Sequence, residues 1–434
     1  MTDSRRARKS KTVAAPDVPI DLRATKLVGG GRALAYADGS TWMIRGGLPG
    51  EWLRVKPNRR RARIVEADVL EVLADEHPAR LERSCPHADR CGGCDWPQVD
   101  PLAGADLKVS VAAEAAARFP EIAARLRAAP ITDSPPAYRL RSRLHWDPRA
   151  GVLGFYGNRT WQVNPIPHCR IVSPFLAEAL SDLTEILTEF CPAPTDLEIL
   201  EGGDSAIAAI RPARGGPRSI DRRWLPPASR CGLLDGFHRL TGSSEIIPGW
   251  GLDHVCIDLP VRLEVPIGSF FQGNLHLVPW LFERVATLIG AGDEPVVDLH
   301  GGVGFLAAAA HWMGRDDLTV VEPHEPAAAA AQRNLPDARV STSTAEAFLE
   351  RARDLPEQAV AIIDPPRSGM TSELRRRITG WRPHRVVMLG CDPATWSRDA
   401  ANLIERGYVL DHLELIDLFP FTHHVEVLAV LEAG

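Results

Sequence analysis

At 434 residues, with 45% hydrophobic and 24% charged side chains, the chain is too long for one ordinary core and reads as a globular protein of two or three domains. No apolar stretch approaches the roughly 18 residues of a membrane span, and no apolar core follows the basic N-terminus, so the expectation is a cytoplasmic protein without a membrane partner. The net charge of −6 conceals an asymmetry: residues 1–63 hold 15 Lys and Arg against 5 Asp and Glu, a local +10 that leaves −16 for the rest. Such a basic region suits a polyanion such as RNA, and equally a solvated tail and a charged loop.

Residues 1–16 are basic and lack apolar periodicity, the composition of a disordered arm. Over 17–75, short apolar runs alternate with the turn signals Gly29-Gly30-Gly31, Asp38-Gly39 and Pro49-Gly50, which predicts a small β-barrel. The glycine triplet precedes no helix-forming segment and reads as a turn, not a phosphate loop. Residues 76–266 form a central domain. It opens on a cysteine group and continues with an Ala-rich helical stretch over 105–129, hairpins over 138–163, a helix over 174–190 and further strands. Eight cysteines without a secretion signal argue against a disulfide framework. Cys85, Cys91 and Cys94 have metal-ligand spacing, and the two glycines before Cys94 let the backbone curl around a metal. Spacing alone permits zinc, with His87 or His168 completing the set.

From 267 to 434 apolar runs at 295–299, 318–321, 360–363 and 386–389 alternate with helix-like segments or loops, the pattern of a doubly wound, Rossmann-like α/β domain. Two closing runs, 408–418 and 425–431, have no helix between them and predict an antiparallel pair. Asp298-Leu299-His300-Gly301-Gly302-Val303-Gly304 ends one strand and opens a helix, where glycines let backbone approach a ligand closely. Glu322 ends the next strand, placed to accept hydrogen bonds from ribose hydroxyls. Asp364-Pro365-Pro366-Arg367 follows a third, with Arg367 where amino-methylating enzymes carry an aromatic residue. Cys391, between the 386–389 run and a helix-like segment starting near Pro393, stands where α/β enzymes display reactive groups.

These motifs coincide in order: Cys85-x5-Cys91-Gly92-Gly93-Cys94, Phe271-Gln272-Gly273-Asn274, the glycine loop, Asp364-Pro365-Pro366-Arg367, Cys391-Asp392-Pro393-Ala394-Thr395, and Pro420-x-Thr422-x-His424-x-Glu426. The ensemble resembles the RNA 5-methyluridine methyltransferase family, and the resemblance runs from a TRAM-like N-terminal barrel to the last strand. It implies S-adenosylmethionine as methyl donor, held by Gln272, His300, Glu322 and Asp364, although the family usually has an aromatic residue at His300 and often a cysteine at Gly301. It implies Cys391 as nucleophile and Glu426 as base. It also implies a 4Fe-4S cluster on Cys85, Cys91, Cys94 and Cys169, with zinc as the alternative.

Carbon 5 of uracil is too weak a nucleophile to take a methyl group directly, so a thiolate adding to carbon 6 must first make it enolate-like. The 5-proton then has to leave before the thiolate can. A helix starting at Pro393 would help ionise Cys391, whereas Asp392, in place of the family's Asn, would oppose it unless turned away. The expected partner is structured ribosomal or transfer RNA, with its uridine flipped out or in a loop, and with Arg141 and Arg143 on its phosphates; Leu140 departs from the family pattern there. The expected state is a monomer. The alternative is a non-catalytic RNA-binding or assembly factor that keeps the fold.

Overall fold

The computed structural model describes residues 13–14, 18–352 and 355–434, Val13 and Ala14 by their backbone alone. Most of the basic arm therefore lies outside the described residues. Val13–Ala14 run antiparallel to Arg59–Arg60, so the end of the arm is strand, not free chain.

The N-terminal strands form one seven-stranded sheet that includes Ser40–Arg45, Trp52–Arg61 and Ile64–Ala74. Along Ser40–Arg45 burial alternates residue by residue, so Trp42 and Ile44 enter a core with Leu22, Leu53 and Val65. Leu107 and Val111, from the helix Ala105–Ala115, close that core. Ala112, Ala113 and Ala116 pack instead into the C-terminal core, so this one helix joins both. The helical stretch expected over 105–129 is two helices, Ala105–Ala115 and Pro120–Ala128; Pro120 cannot continue the first and starts the second.

A second seven-stranded sheet carries the predicted hairpin Arg141–Asp147/Val152–Tyr156 and is covered by the helix Pro174–Phe190. Ser173 caps that helix by accepting from the Leu176 amide at 3.0 Å. The hairpin's next turn, at Gly157 and Asn158, leads into Val163–Pro165.

The C-terminal sheet has eight strands, the middle of it parallel: Arg339–Ser341, Leu318–Val321, Val296–Asp298, Val360–Ile363 and Arg385–Gly390, followed by antiparallel Glu426–Ala433 and Tyr408–Ile416. Val360–Ile363 and Leu318–Val321 are wholly buried, which is why the first is an unbroken apolar run and the second carries only Thr319 among apolar residues. Ile131–Thr132 adds an eighth strand beside Leu415 and Ile416, placing part of the region before the central sheet inside the C-terminal one. Among the described residues no helix is long and apolar enough to cross a membrane.

Candidate active site and cysteine cavity

The strand order reverses at Val296–Asp298, between Leu318–Val321 and Val360–Ile363, and Asp298, Glu322 and Asp364 all stand at carboxyl ends there. Gly304, in the left-handed region at φ 86°, starts the helix Phe305–Trp312. Gly301 has its own reason: a Cβ there would lie 2.3 Å from the Val320 side chain, so the loop packs backbone-on-strand and takes no larger residue without moving. Glu322 accepts from the Gly302 amide at 3.0 Å and the His324 amide at 2.7 Å, which fixes its carboxylate at the mouth of the loop.

Asp364 is joined to Gln272, whose amide donates to it at 3.4 Å. Burial pushes the Asp364 carboxyl up to about 7. Burial, then Asp364 and Glu322, push Asp298 to about 8, while the backbone amides of His300 and Ala307 act the other way. Burial lowers the His300 imidazole to about 4, so the ring is neutral at pH 7, with its Nδ1 unpartnered. His300 therefore offers a flat face and one open ring nitrogen, not a charge.

Cys391 and Glu426 face each other by strand register. Gly390 pairs with Val427 in the antiparallel ladder, and the next residue out on each strand is Cys391 and Glu426. Burial, then Asp364, push Glu426 to about 8 against Arg367. Burial, then Glu426 and Asp364, push the Cys391 thiol up to about 11, again opposed by Arg367. The first amides of the helix Pro393–Ile404 are taken up beside the thiol. Asp392 caps this helix, accepting from the Ala394 amide at 2.9 Å and the Thr395 amide at 3.0 Å, so its charge and the N-terminal amides satisfy each other. The charge that matters to Cys391 comes from Glu426 and Asp364, and the counter-charge from Arg367.

The loop carrying Arg367 is pinned to the same helix. Thr395 donates to the Arg367 carbonyl at 3.1 Å, and buried Asp399 accepts from the Met370 amide at 2.7 Å while paired with Arg375. Asp298 and Arg367 are the residues the sequence reading left without a role at the site. Each had a signal, a strand-end acid and a cation beside two prolines, but no local pattern gives their distance to Cys391.

Cys85, Cys91, Cys94 and Cys169 line one cavity, together with Phe155, Ile166, Ile171 and Phe421. The Gly93 amide donates to Cys91 Sγ at 3.3 Å, and amides of Ile171 and Val172 are directed at Cys169, so the chain supplies donors to sulfur. His168, just before Cys169, takes a left-handed conformation at φ 59°. His87 Nε2 is bonded to the Pro167 carbonyl at 2.6 Å. Among the described residues no three His, Cys, Asp or Glu side chains converge closely enough to hold a single metal ion. Cys191 and Cys231 are buried elsewhere in the central core.

Arg141 and Arg143 share one carboxylate partner, and Arg143 keeps 46% of its side chain exposed. Both reach the nearly fully buried Glu198, at 2.7 and 3.3 Å, and Arg141, Arg143 and Arg211 hold that carboxyl below its ordinary value although burial raises it. Leu140 is buried in the core that runs into the C-terminal sheet.

A doubly wound sheet with a glycine turn, a loop-held acid and buried carboxylates at its switch point, and a thiol facing a glutamate, defines a Rossmann-like methyltransferase. A family profile described as tRNA (Uracil-5-)-methyltransferase matches residues 354–433. The chain is 30% identical over 438 residues to the 23S rRNA (uracil(1939)-C(5))-methyltransferase RlmD of Pseudomonas putida, covering 96% of each, and 30% identical over 429 residues to that of Azoarcus sp., covering 93% of this chain and 97% of that one. It therefore belongs to the RNA uracil-C5 methyltransferase family. In fold it is similar to the Pyrococcus abyssi tRNA (uracil-54, C5)-methyltransferase, with a TM-score of 0.73 over 94% of this chain and 99% of that chain at 20% identity.

Proposed function

We propose that this protein transfers a methyl group from S-adenosylmethionine to carbon 5 of a uridine in 23S ribosomal RNA, with Cys391 as nucleophile and Glu426 as proton acceptor. The observation that carries this reading is the placement of Cys391 and Glu426, each one residue beyond the Gly390–Val427 pair, with the Glu426 charge acting on the Cys391 thiol. A thiol and a carboxyl on neighbouring strands can reach carbon 6 and carbon 5 of one ring. A non-catalytic RNA-binding or assembly factor has no use for that placement.

Gln272, His300, Glu322 and Asp364 hold the donor in this reading, with Asp298 beneath the glycine turn. When bound, S-adenosylmethionine supplies the methyl group and a sulfonium charge that favours ionised Asp364, Glu426 and Cys391. Cys391 Sγ, as thiolate, bonds to carbon 6 of the uracil and drives electron density to carbon 5. After carbon 5 is methylated, Glu426 takes the 5-proton, the 5,6 double bond re-forms and Sγ leaves. Arg367, the cation facing both groups, favours the charged form of each.

Cys85, Cys91, Cys94 and Cys169 fit a 4Fe-4S cluster better than zinc. A single ion draws its ligands to one point, whereas a polynuclear cluster would keep the four cysteine sulfurs apart around a shared cavity, and amide donors aimed at sulfur suit thiolates that each end on one iron. The cluster would shape the adjoining RNA surface. The domain division read from the sequence, with a TRAM-like barrel, a central domain and a catalytic domain from 267, and action as a cytoplasmic monomer, belong to the same reading.

Incubation with methyl-labelled donor and separated ribosomal and transfer RNA tests it. Label in 5-methyluridine of 23S rRNA is expected; transfer to no RNA overturns the reading, and transfer to tRNA alone overturns the substrate.

A further inference from the structure

Beside the cysteine cavity, on the turn and strands that follow Arg141–Asp147, lies a second cleft of about 230 Å³. Gly93 and Phe155 line both, so the two are separated by one wall. His145 and Tyr156 border the cleft and are stacked, ring centroids 3.5 Å apart and 15° from parallel. The Asp196 carboxylate holds His145 through Nδ1 at 2.8 Å. Trp161 meets Tyr156 edge-on at 5.3 Å, and the Arg214 guanidinium sits 4.0 Å from the Trp161 ring centroid. Trp161 is 62% exposed.

An indole held out in water by a stacked pair on one side and a guanidinium on the other has lost its rotamer freedom without gaining burial. The exposed part of the ring is open to a further stacking partner. The chemistry selects which one. Alternating rings and guanidinium groups suit flat, π-rich ligands flanked by negative charge, as unstacked bases are. Arg214 lies over the Trp161 ring, and Arg159 borders the cleft while paired with Glu66 of the N-terminal sheet at 2.8 Å.

We propose that the His145, Tyr156 and Trp161 array is a binding site for an unpaired nucleobase of the RNA substrate, stacked on Trp161 with a flanking phosphate on Arg214. The inference rests on the RNA substrate read above. It adds a second grip on the RNA, outside the Cys391 site and next to the cysteine loop, that selects unstacked rather than duplex RNA.

The test uses the full chain and short oligoadenylate, which carries no uridine and cannot engage Cys391. Trp161→Leu is expected to weaken oligoadenylate binding about tenfold or more, the loss of one stacked base, while Trp161→Phe stays within about twofold of the parent protein. With ribosomal RNA, Trp161→Leu should raise KM and leave kcat unchanged. The proposal is overturned if the parent protein does not bind oligoadenylate, if Trp161→Leu binds as tightly as the parent, or if Trp161→Phe loses as much as Trp161→Leu. Should the parent transfer no methyl group to any RNA, the proposed activity fails, and the oligoadenylate series still decides the base site.

Discussion

Asp95, one residue beyond Cys94, accepts from the His423 amide at 3.2 Å and also meets His423 Nδ1, three residues before Glu426. The Trp96 amide donates to the Phe421 carbonyl at 3.0 Å, and the Phe421 side chain lines the cysteine cavity. The cysteine loop and the loop that carries Glu426 are thus held as one unit. Asp95→Ala should misplace Glu426 more than Cys391, because only the Glu426 loop loses a support. The expected outcome is turnover lowered about 10- to 100-fold with a covalent protein–RNA adduct accumulating on denaturing gels. An equal loss of turnover without adduct would reject the link.

Cys391→Ala should abolish methyl transfer while calorimetric binding of S-adenosylmethionine is unchanged, since Gln272, Glu322 and Asp364 lie on other segments. Glu426→Gln should behave differently, forming the adduct and failing to release it. If Cys391→Ala retains normal activity, the thiol is not the nucleophile.

Asp298 makes stability depend on pH in a direction opposite to an ordinary paired carboxylate. Its folded value, about 8, lies above the unfolded 3.8, so the proton is held more tightly in the folded state. The stabilisation is fully present below the unfolded value and is lost as pH rises through the folded one. Asp364 and Glu426 act in the same sense. His300 and His424, held low by burial, act in the opposite sense over the lower part of this range. Relative to the parent without donor, Asp298→Asn should therefore gain melting temperature by a few degrees as pH rises from about 4 to about 8. A difference between the two proteins that does not change with pH would contradict the assignment.

Anaerobic reconstitution with iron and sulfide should give the visible thiolate-to-iron absorption of a 4Fe-4S cluster, with about four iron and four sulfide per chain. Cys94→Ser should lose it. Zinc at about one per chain, with no iron uptake, would favour the structural-zinc alternative.

Much of the C-terminal sheet was legible because parallel strands buried on both faces must be apolar runs, as at Val360–Ile363. Ile131–Thr132 was not: two residues carry no period, and their partners Leu415 and Ile416 lie far along the chain. The same limit applies to the site. Cys391 and Glu426 were legible as motif positions, but the effect of Asp392 depended on its side chain turning into the helix, a local choice the sequence leaves open. The charge of Arg141 and Arg143 was visible, whereas their shared pairing with the buried Glu198 depends on which strand pairs with theirs.

Lys108 and Asp417 form the most buried ion pair that bears on the catalytic loop. Lys108 Nζ meets Asp417 Oδ1 and also donates to the Phe419 carbonyl at 3.0 Å and the His424 carbonyl at 2.9 Å. Both side chains are almost wholly out of water, at 3% and 0% exposure, so neither tolerates losing its partner. Lys108→Met leaves Asp417 and two carbonyls without their donor and should cost about 3 kcal/mol in urea denaturation at neutral pH. Burial raises the Asp417 carboxyl even with Lys108 present, so without the lysine it should take up a proton, and the cost should shrink as pH falls. Lys108→Met combined with Asp417→Leu should recover part of the loss, because no buried charge is then left alone. If the double variant is less stable than Lys108→Met by the full effect of a second independent substitution, the pair is not the source of the cost.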